Sequence, residues 1–421
     1  MRVLLASKFL HRVGGVETYL EWLAGELTTR GHEVALFGME APSGSSPIAP
    51  GSPRFETPAR SYTSGSLRER LDDAASSVYS VANGRRMTAA LEQFAPDVVH
   101  FHGTCYQLTS AVVRAAGGRG IGRVVTAHEY KLVCANQRLW ADSTSDLCQV
   151  CVGASPVRRA INPVRRRCIK GSLGASAVGG VETIVSDRIM RGAGDMIVHC
   201  PSRFMEQTLH ADGWSSARTE VLDLPWRETP HRRDAEATGL LYMGRLAPEK
   251  DVLTVLQAWK ALGTRTGDRI LTIAGTGADE PQLHRYVAEH AVDRVCFVGH
   301  LTPDQIGATL RTTAATLHPA IWFENSPFSV RESLMARVPA LVADRGGMPE
   351  LVTDGVTGMV SEHSVAGWSG TIERFLGGEI ASPQAFEEEL ADRVTSGDQH
   401  FRALTGLYGR AQAAAAIRTS R

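Results

Sequence analysis

Short apolar runs that end in glycine, histidine or proline, each followed by a stretch of helical periodicity, recur along the whole chain and constrain its fold more than any other feature. RVLLA (residues 2–6) ends in SKFLHRVGG and leads into VETYLEWLAGELTTRGH, where Val16, Tyr19, Leu20, Leu23, Ala24 and Leu27 fall at i, i+3, i+4 and i+7, before EVALFG opens a second run. That order predicts strand, glycine loop, amphipathic helix, strand, a βαβ unit with Gly31 as the helix stop. The runs DVVHFH (97–102), RVVTAH (123–128) and MIVHCPS (196–202) continue it. The same grammar restarts at GLLYMGRL (239–246) and continues through ILTIAGTG (270–277), RVCFVGHL (294–301), ATLHPA (315–320) and ALVADRGG (340–347). Continuous apolar strands alternating with helices specify open parallel sheets covered on both faces.

At 421 residues the chain exceeds what one hydrophobic core organises, so two domains are expected. The Pro- and charge-rich segment at 225–238 reads as the linker. The expected division is residues 1–228, 236–368 and a helical tail at 369–421 that crosses back to the first domain. Open sheets of this kind take ligands at their strand carboxyl ends, here in a cleft between the two domains. Formal charge is zero and 43% of residues are hydrophobic, which excludes a disordered chain and a globally basic nucleic-acid binder. The opening MRVLLASKFLHRVGG is too short and too charged for a signal peptide, and no later run approaches the ~18 apolar residues of a membrane span. The expectation is a cytoplasmic protein with peripheral attachment to the inner membrane face left open; oligomeric state is not readable. Only five of 45 basic residues are lysine, at 8, 131, 170, 250 and 260, which singles those positions out.

YMGRLAPEKD sets Arg245 just past a strand and Lys250 in the following turn, so a planar guanidinium and a point charge can converge on one anion. A solvated turn accounts for the same residues. Gly14 and Gly15, between a strand and its helix, let backbone N–H groups approach a phosphate at a helix N-terminus, or simply make a tight turn. No G-x-G-x-x-G follows a strand, which disfavours a dehydrogenase. In IWFENSPFSVRESLMARVPALVADRGGMPELV (321–352), Pro327 predicts a helix start that leaves Glu324 on the preceding loop and Glu332 in the second turn, with the free N–H groups around Phe328 and Ser329 facing phosphate.

The ordered set Gly14-Gly15, HFHG, TAHEYKLVC, GRLAPEK, AGTG, FVGHL, ENSPFSVRE and GGMPE resembles the retaining, nucleotide-sugar-dependent glycosyltransferases of family 4 (glycosyltransferase group 1) over residues 1 to 360. The resemblance implies the GT-B fold, two Rossmann-like doubly wound parallel-sheet domains facing a central cleft. It implies that Glu324 binds donor-sugar hydroxyls, that Glu332 binds the ribose, and that Arg245 and Lys250 neutralise the departing diphosphate, on which the Gly14-Gly15 loop closes. His128 would contact the transferring sugar, and a uracil or guanine ring would rest near Val298 to His300. It also implies a metal-free front-face substitution in which the leaving phosphate oxygen deprotonates the acceptor, consistent with the absence of any Asp-x-Asp. The chain departs from the family at Val338, where glycine is usual.

The expected activity is transfer of a hexose or amino-sugar, from a UDP-sugar in preference to a GDP-sugar, to a hydroxyl of a cell-envelope glycan, a lipid or a natural product. The alternative is a catalytically silent nucleotide-sugar binder of the same fold. Two further features lie outside that set. Cys134, Cys148, Cys151 and Cys168, in an insertion at about 132–175, read either as a structural zinc site or as four reduced thiols. In SPVRRAINPVRRRCIK the six cations Arg158, Arg159, Arg165, Arg166, Arg167 and Lys170 either attract an anionic surface or acceptor, or are merely solvated.

Overall fold

The structure is a computed structural model that describes residues 1–59, 67–227 and 229–419. Its residues divide into two compact units, Met1–Leu224 together with the chain from Asp398 onward, and Pro225–Gly397. The expected boundary at residue 228 lies outside the described residues.

In the first unit the strands are β1 (Arg2–Phe9), β2 (Glu33–Met39), β3 (Arg54–Thr57), β4 (Val98–Phe101), β5 (Gly122–Thr126), the short hairpin strands β6 (Trp140–Ala141) and β7 (Asp146–Leu147), then β8 (Met196–Cys200) and β9 (Thr219–Val221). Seven of them form one parallel sheet in the order β3-β2-β1-β4-β5-β8-β9, registered by pairs such as Val3 with Val34 and Val3 with Val98. The helix Gly15–Thr29 buries Tyr19, Leu20, Leu23, Ala24 and Leu27 against that sheet. Val16 is only half-buried and Glu17 takes the inward place beside it, a departure from the expected apolar row.

The second unit contains β10 (Gly239–Met243), β11 (Leu271–Ala274), β12 (Val295–Gly299), β13 (Thr313–His318), β14 (Ala340–Ala343) and β15 (Gly358–Ser361), a six-stranded sheet in the order β12-β11-β10-β13-β14-β15. All its pairings are parallel. Each sheet reverses its winding once, between β1 and β4 and between β10 and β13, and those two points are where a doubly wound sheet opens for a ligand. Leu240, Ile273, Leu317 and Leu341 from the strands pack with Val255, Trp259, Trp368 and Leu390 from the covering helices into one core.

The helices beyond residue 369 do not form one body. Pro383–Arg393 contributes Phe386 and Leu390 to the core of the second unit, whereas the helix Gly397–Thr419 belongs from Asp398 onward to the first, where Leu404, Leu407, Tyr408 and Ala411 are buried. This last helix lies so close to the start of β5 that a Cβ at Gly122 would stand 2.9 Å from the Gln412 nitrogen. No helix among the described residues is long and apolar enough to cross a membrane.

Candidate functional site

In the second unit the winding reversal collects most of the charged positions that the sequence singled out. The turn after β10 carries Arg245, Glu249 and Lys250, and the loop after β13 carries Trp322 and Glu324. The two loops are tied through backbone, with the N–H of Ile321 donating to the Glu249 carbonyl at 3.1 Å. Lys250 Nζ donates to Glu324 Oε1 and lies 5.3 Å from the centre of the Trp322 ring. Among the described residues Arg245 is held at one edge only, Nη2 to Glu249 Oε1 at 2.9 Å, and its side chain is 63% exposed. A buried carboxylate thus aims an exposed guanidinium outward, next to a half-buried ammonium.

Close backbone packing explains the glycines. Gly275 has φ +144°, and a Cβ there would lie 1.8 Å from the Gly244 carbonyl oxygen. At Gly277 it would lie 2.0 Å from that of Leu246. On the other side, Gly346 has φ +62° and a Cβ there would meet the Glu324 carbonyl oxygen at 2.2 Å, while the N–H of Gly347 donates to that oxygen at 2.7 Å. The glycine pairs are what let the loops after β11 and β14 close on those after β10 and β13.

Helix Phe328–Met335 begins directly after Pro327, so Phe328 and Ser329 sit in its first turn with N–H groups that have no helical carbonyl to bond. Ser329 Oγ lies 3.3 Å from His318 Nδ1, and His318 Nε2 lies 3.0 Å from Thr316 Oγ1. Burial, with Lys250 adding to it, pushes His318 down to about 3, so the ring is neutral. Glu332 keeps solvent access, yet dense surrounding protein raises its carboxyl above the usual range, with Arg227 opposing. Val298 and His300 are exposed at the end of the edge strand β12.

Arg331 was not legible as a site residue. It is 2% exposed, and its guanidinium donates to the Ser326 carbonyl at 3.0 Å and to Ser326 Oγ at 2.6 Å. It fastens the Glu324 loop to its own helix. Val338 is fully buried against Leu241 and Met243, and the left-handed residue that ends the helix is Arg337, at φ 64°, whose Nε donates to Glu387 at 2.6 Å. The missing glycine therefore leaves that turn intact.

In the first unit, Gly14 is extended and its N–H donates to Glu17 Oε2 at 2.9 Å. A carboxylate from the same helix thus holds one of the two amides of the Gly14-Gly15 turn. Burial raises the Glu17 carboxyl above its usual range, and the backbone N–H groups and Lys8 oppose that shift. His128 lies at the end of β5, half-buried, its Nε2 3.1 Å from Nδ1 of the buried His102. Burial lowers His128 to about 3.

Behind it runs a directed relay. His199 Nε2 lies 2.7 Å from the Leu222 carbonyl, which can only accept, so Nε2 carries the proton and Nδ1 accepts from Thr126 Oγ1 at 2.9 Å. Thr126 in turn accepts from His100 Nε2 at 2.7 Å, and His100 Nδ1 accepts from Tyr408 Oη at 2.8 Å. Burial keeps both imidazoles of that relay neutral, which gives it this direction. His100 is thus a structural hydrogen-bonder.

Cys134, Cys151 and Cys168 are buried, Cys148 is half-buried, and all are free thiols. Burial and the neighbouring sulfurs push Cys151 and Cys168 up to about 12. Among the described residues no group of three or more His, Cys, Asp or Glu side chains is arranged to hold a metal ion.

Comparison with known proteins matches residues 14–225 to the family described as glycosyl transferase 4-like domain and residues 228–392 to glycosyl transferases group 1. A GDP-mannose-dependent alpha-mannosyltransferase of Mycolicibacterium smegmatis is 26% identical over 377 residues, 86% of this chain and 84% of that one. Among solved structures, a sucrose-phosphate synthase from Thermosynechococcus elongatus superposes with a TM-score of 0.69 at 15% identity, covering 98% of this chain and 99% of the other. Anabaena HepE in complex with UDP and glucose gives 0.66 at 14% identity, covering 97% and 99%.

Proposed function

Because the chain belongs to the group 1 glycosyl transferases and has the GT-B fold, we propose that it moves a hexose or amino-sugar from a UDP-sugar to an acceptor hydroxyl, with retention at the anomeric carbon and without a metal. Glycosyl transfer from a nucleotide-sugar donor is the activity; the donor base, the stereochemistry and the acceptor, a cell-envelope glycan, a lipid or a natural product, are the proposal.

The observation that carries it is the Lys250–Glu324 pair at the winding reversal of the second sheet, with the exposed Arg245 beside it. Departure of a nucleoside diphosphate leaves charge on its terminal phosphate, and fixed cations aimed at that charge stabilise the transition state more than the ground state. Arg245 and Lys250 are assigned to it. The Phe328 and Ser329 amides add positive potential from a helix N-terminus. Glu324, already placed by Lys250, accepts from donor-sugar hydroxyls. Glu332 is assigned to the ribose, and the exposed Val298–His300 edge to the base. From the first unit, the Gly14-Gly15 turn is assigned to the diphosphate. His128, neutral at pH 7, is assigned to a sugar hydroxyl as a hydrogen-bond partner rather than as a charged acid.

A panel of UDP- and GDP-sugars, read by diphosphate release that requires both donor and acceptor, tests the reading, and proton NMR of the product anomer tests retention. Release from GDP-mannose but from no UDP-sugar would shift the donor to guanine, the second reading, favoured by the widely matching Mycolicibacterium relative named for GDP-mannose. An inverted product would refute the front-face route. Thermal stabilisation by UDP with no transfer to any acceptor would leave a silent binder.

A further inference from the structure

The basic insertion of the first unit has no place in donor chemistry, and it carries an exposed apolar surface as well as charge. Helix Pro156–Arg165 exposes Val157 and Ile161, and helix Leu173–Gly192 exposes Leu173, Val181 and Ile184, at 38 to 67% of their surface. The two helices cross where a Cβ at Gly180 would stand 2.4 Å from the Ala160 carbonyl oxygen. The contacts advance along the second helix as they recede along the first, Ile169 against Gly179, Ala160 against Gly180 and Arg159 bonded to Asp187, so the helices run antiparallel as a hairpin.

Their geometry decides whether the exposed residues belong together. At about 100° per residue, Val157 and Ile161 lie about 60° and 100° forward of Ala160, and Val181 and Ile184 lie about 100° and 40° forward of Gly180. In an antiparallel pair, equal forward rotation about each axis leads to the same side. The four side chains therefore form one apolar face, an arrangement that a monomeric water-facing surface avoids.

Charge surrounds this face. Arg158, Arg165, Arg166, Arg167 and Lys170 are exposed, and among the described residues none of their side chains forms an ion pair. Arg165, Arg166 and Arg167 line a recess of about 540 Å3 with Ser143, Thr144 and Asn162. Apolar side chains beside unpaired arginines match the boundary of an anionic bilayer, where a helix lies in the interface plane and cations meet headgroup phosphates.

We propose that this helical hairpin seats the protein on a membrane rich in anionic phospholipid, with Val157, Ile161, Val181 and Ile184 in the acyl boundary and a headgroup phosphate in the three-arginine recess. The inference does not depend on the identity of the donor or on transfer itself.

Flotation of the full chain with vesicles of equal parts phosphatidylglycerol and phosphatidylcholine, against phosphatidylcholine alone, tests it. Binding is expected to the first, weakened by salt, and at least tenfold less to the second. With each cation contributing about fivefold near such a surface, the Arg165→Ser, Arg166→Ser, Arg167→Ser variant should bind roughly 100-fold more weakly. Ile161→Asp with Val181→Asp should lose binding by at least the same factor. A melting temperature and circular dichroism equal to those of the parent show that a variant is folded, a control that uses no nucleotide and so keeps the two proposals separable. Should the variants fail that control, hydrogen exchange of the unmodified chain decides: residues 156–184 must gain protection on anionic vesicles. No binding to anionic vesicles, unchanged binding by either folded variant, or no protection of that hairpin overturns the proposal.

Discussion

The buried histidine relay, together with His128 in front of it, makes a quantitative claim about acid. His199 is held at about 4 and His128 at about 3, both by burial, against about 6.5 for an unfolded chain. Their folded values are depressed, so the neutral rings contribute full stability above pH 6.5. That contribution is lost as pH falls through the unfolded value toward the folded one. Each depressed group then removes about 1.4 kcal/mol per pH unit, so between pH 7 and pH 5 the two together remove about 4 kcal/mol. Carboxyls whose folded values are raised by burial, Glu17 and Glu182, act in the opposite sense, so the total slope does not isolate the rings.

A difference measurement does. His199→Gln preserves a donor toward the Leu222 carbonyl but cannot titrate. Urea unfolding of parent and variant, repeated from pH 7.5 to pH 4.5, should give stability curves that converge by about 1.4 kcal/mol per unit below pH 6. Parallel curves would mean that His199 titrates alike in folded and unfolded chains, and the directed relay would be wrong. Thr126→Val, which strands one donor and one acceptor in a fully buried place, should cost about 2–5 kcal/mol at pH 7 in the same assay.

Removal of Glu324, as Glu324→Ala, is expected to abolish transfer while circular dichroism stays that of the parent; parent-level turnover would remove it from the mechanism. Lys250→Ala leaves a largely buried carboxylate without its cation and should lower stability by about 2–3 kcal/mol, besides weakening UDP binding, as read by thermal shift and calorimetry. Arg331→Leu should weaken donor binding at least tenfold with the strand core intact, seen as faster hydrogen exchange confined to residues 322–328. Gly275→Ala drives a Cβ into the Gly244 carbonyl and should lower the melting temperature by several degrees; an unchanged melting curve would contradict the loop packing.

How far the sequence reaches follows from which signals are local. Parallel strands buried on both faces must be continuous apolar runs, and each must end where the chain turns outward, so the ends of β10 and β13, and with them Arg245, Lys250 and Glu324, could be placed from spacing alone. Pro327 likewise fixed a helix start, because its ring is compatible with the first turn and with little beyond it. What stayed hidden is held by partners far along the chain or by a competing use of a familiar pattern. Glu17 reads as a surface residue of an amphipathic helix until its carboxylate is seen to claim the Gly14 amide. Arg331 sits among small and apolar neighbours in a helical register that marks it as buried, and burial of an arginine is tolerable only with partners such as Ser326, which no periodicity announces. His318 falls in a strand where a polar ring looks like an interruption, yet Thr316 and Ser329 accommodate it as a neutral group beside Lys250. These three cases share a cause: the charged atoms expected to meet a ligand are displayed by local geometry, whereas the residues that hold those atoms still are chosen by tertiary packing. Substitutions at the second kind should therefore alter affinity through loop order, with the chemistry unchanged. Arg331→Leu at saturating donor is the sharpest instance: its turnover number should approach that of the parent even though its apparent donor affinity is low, and a turnover number that stays low at saturation would place Arg331 among the reacting groups instead.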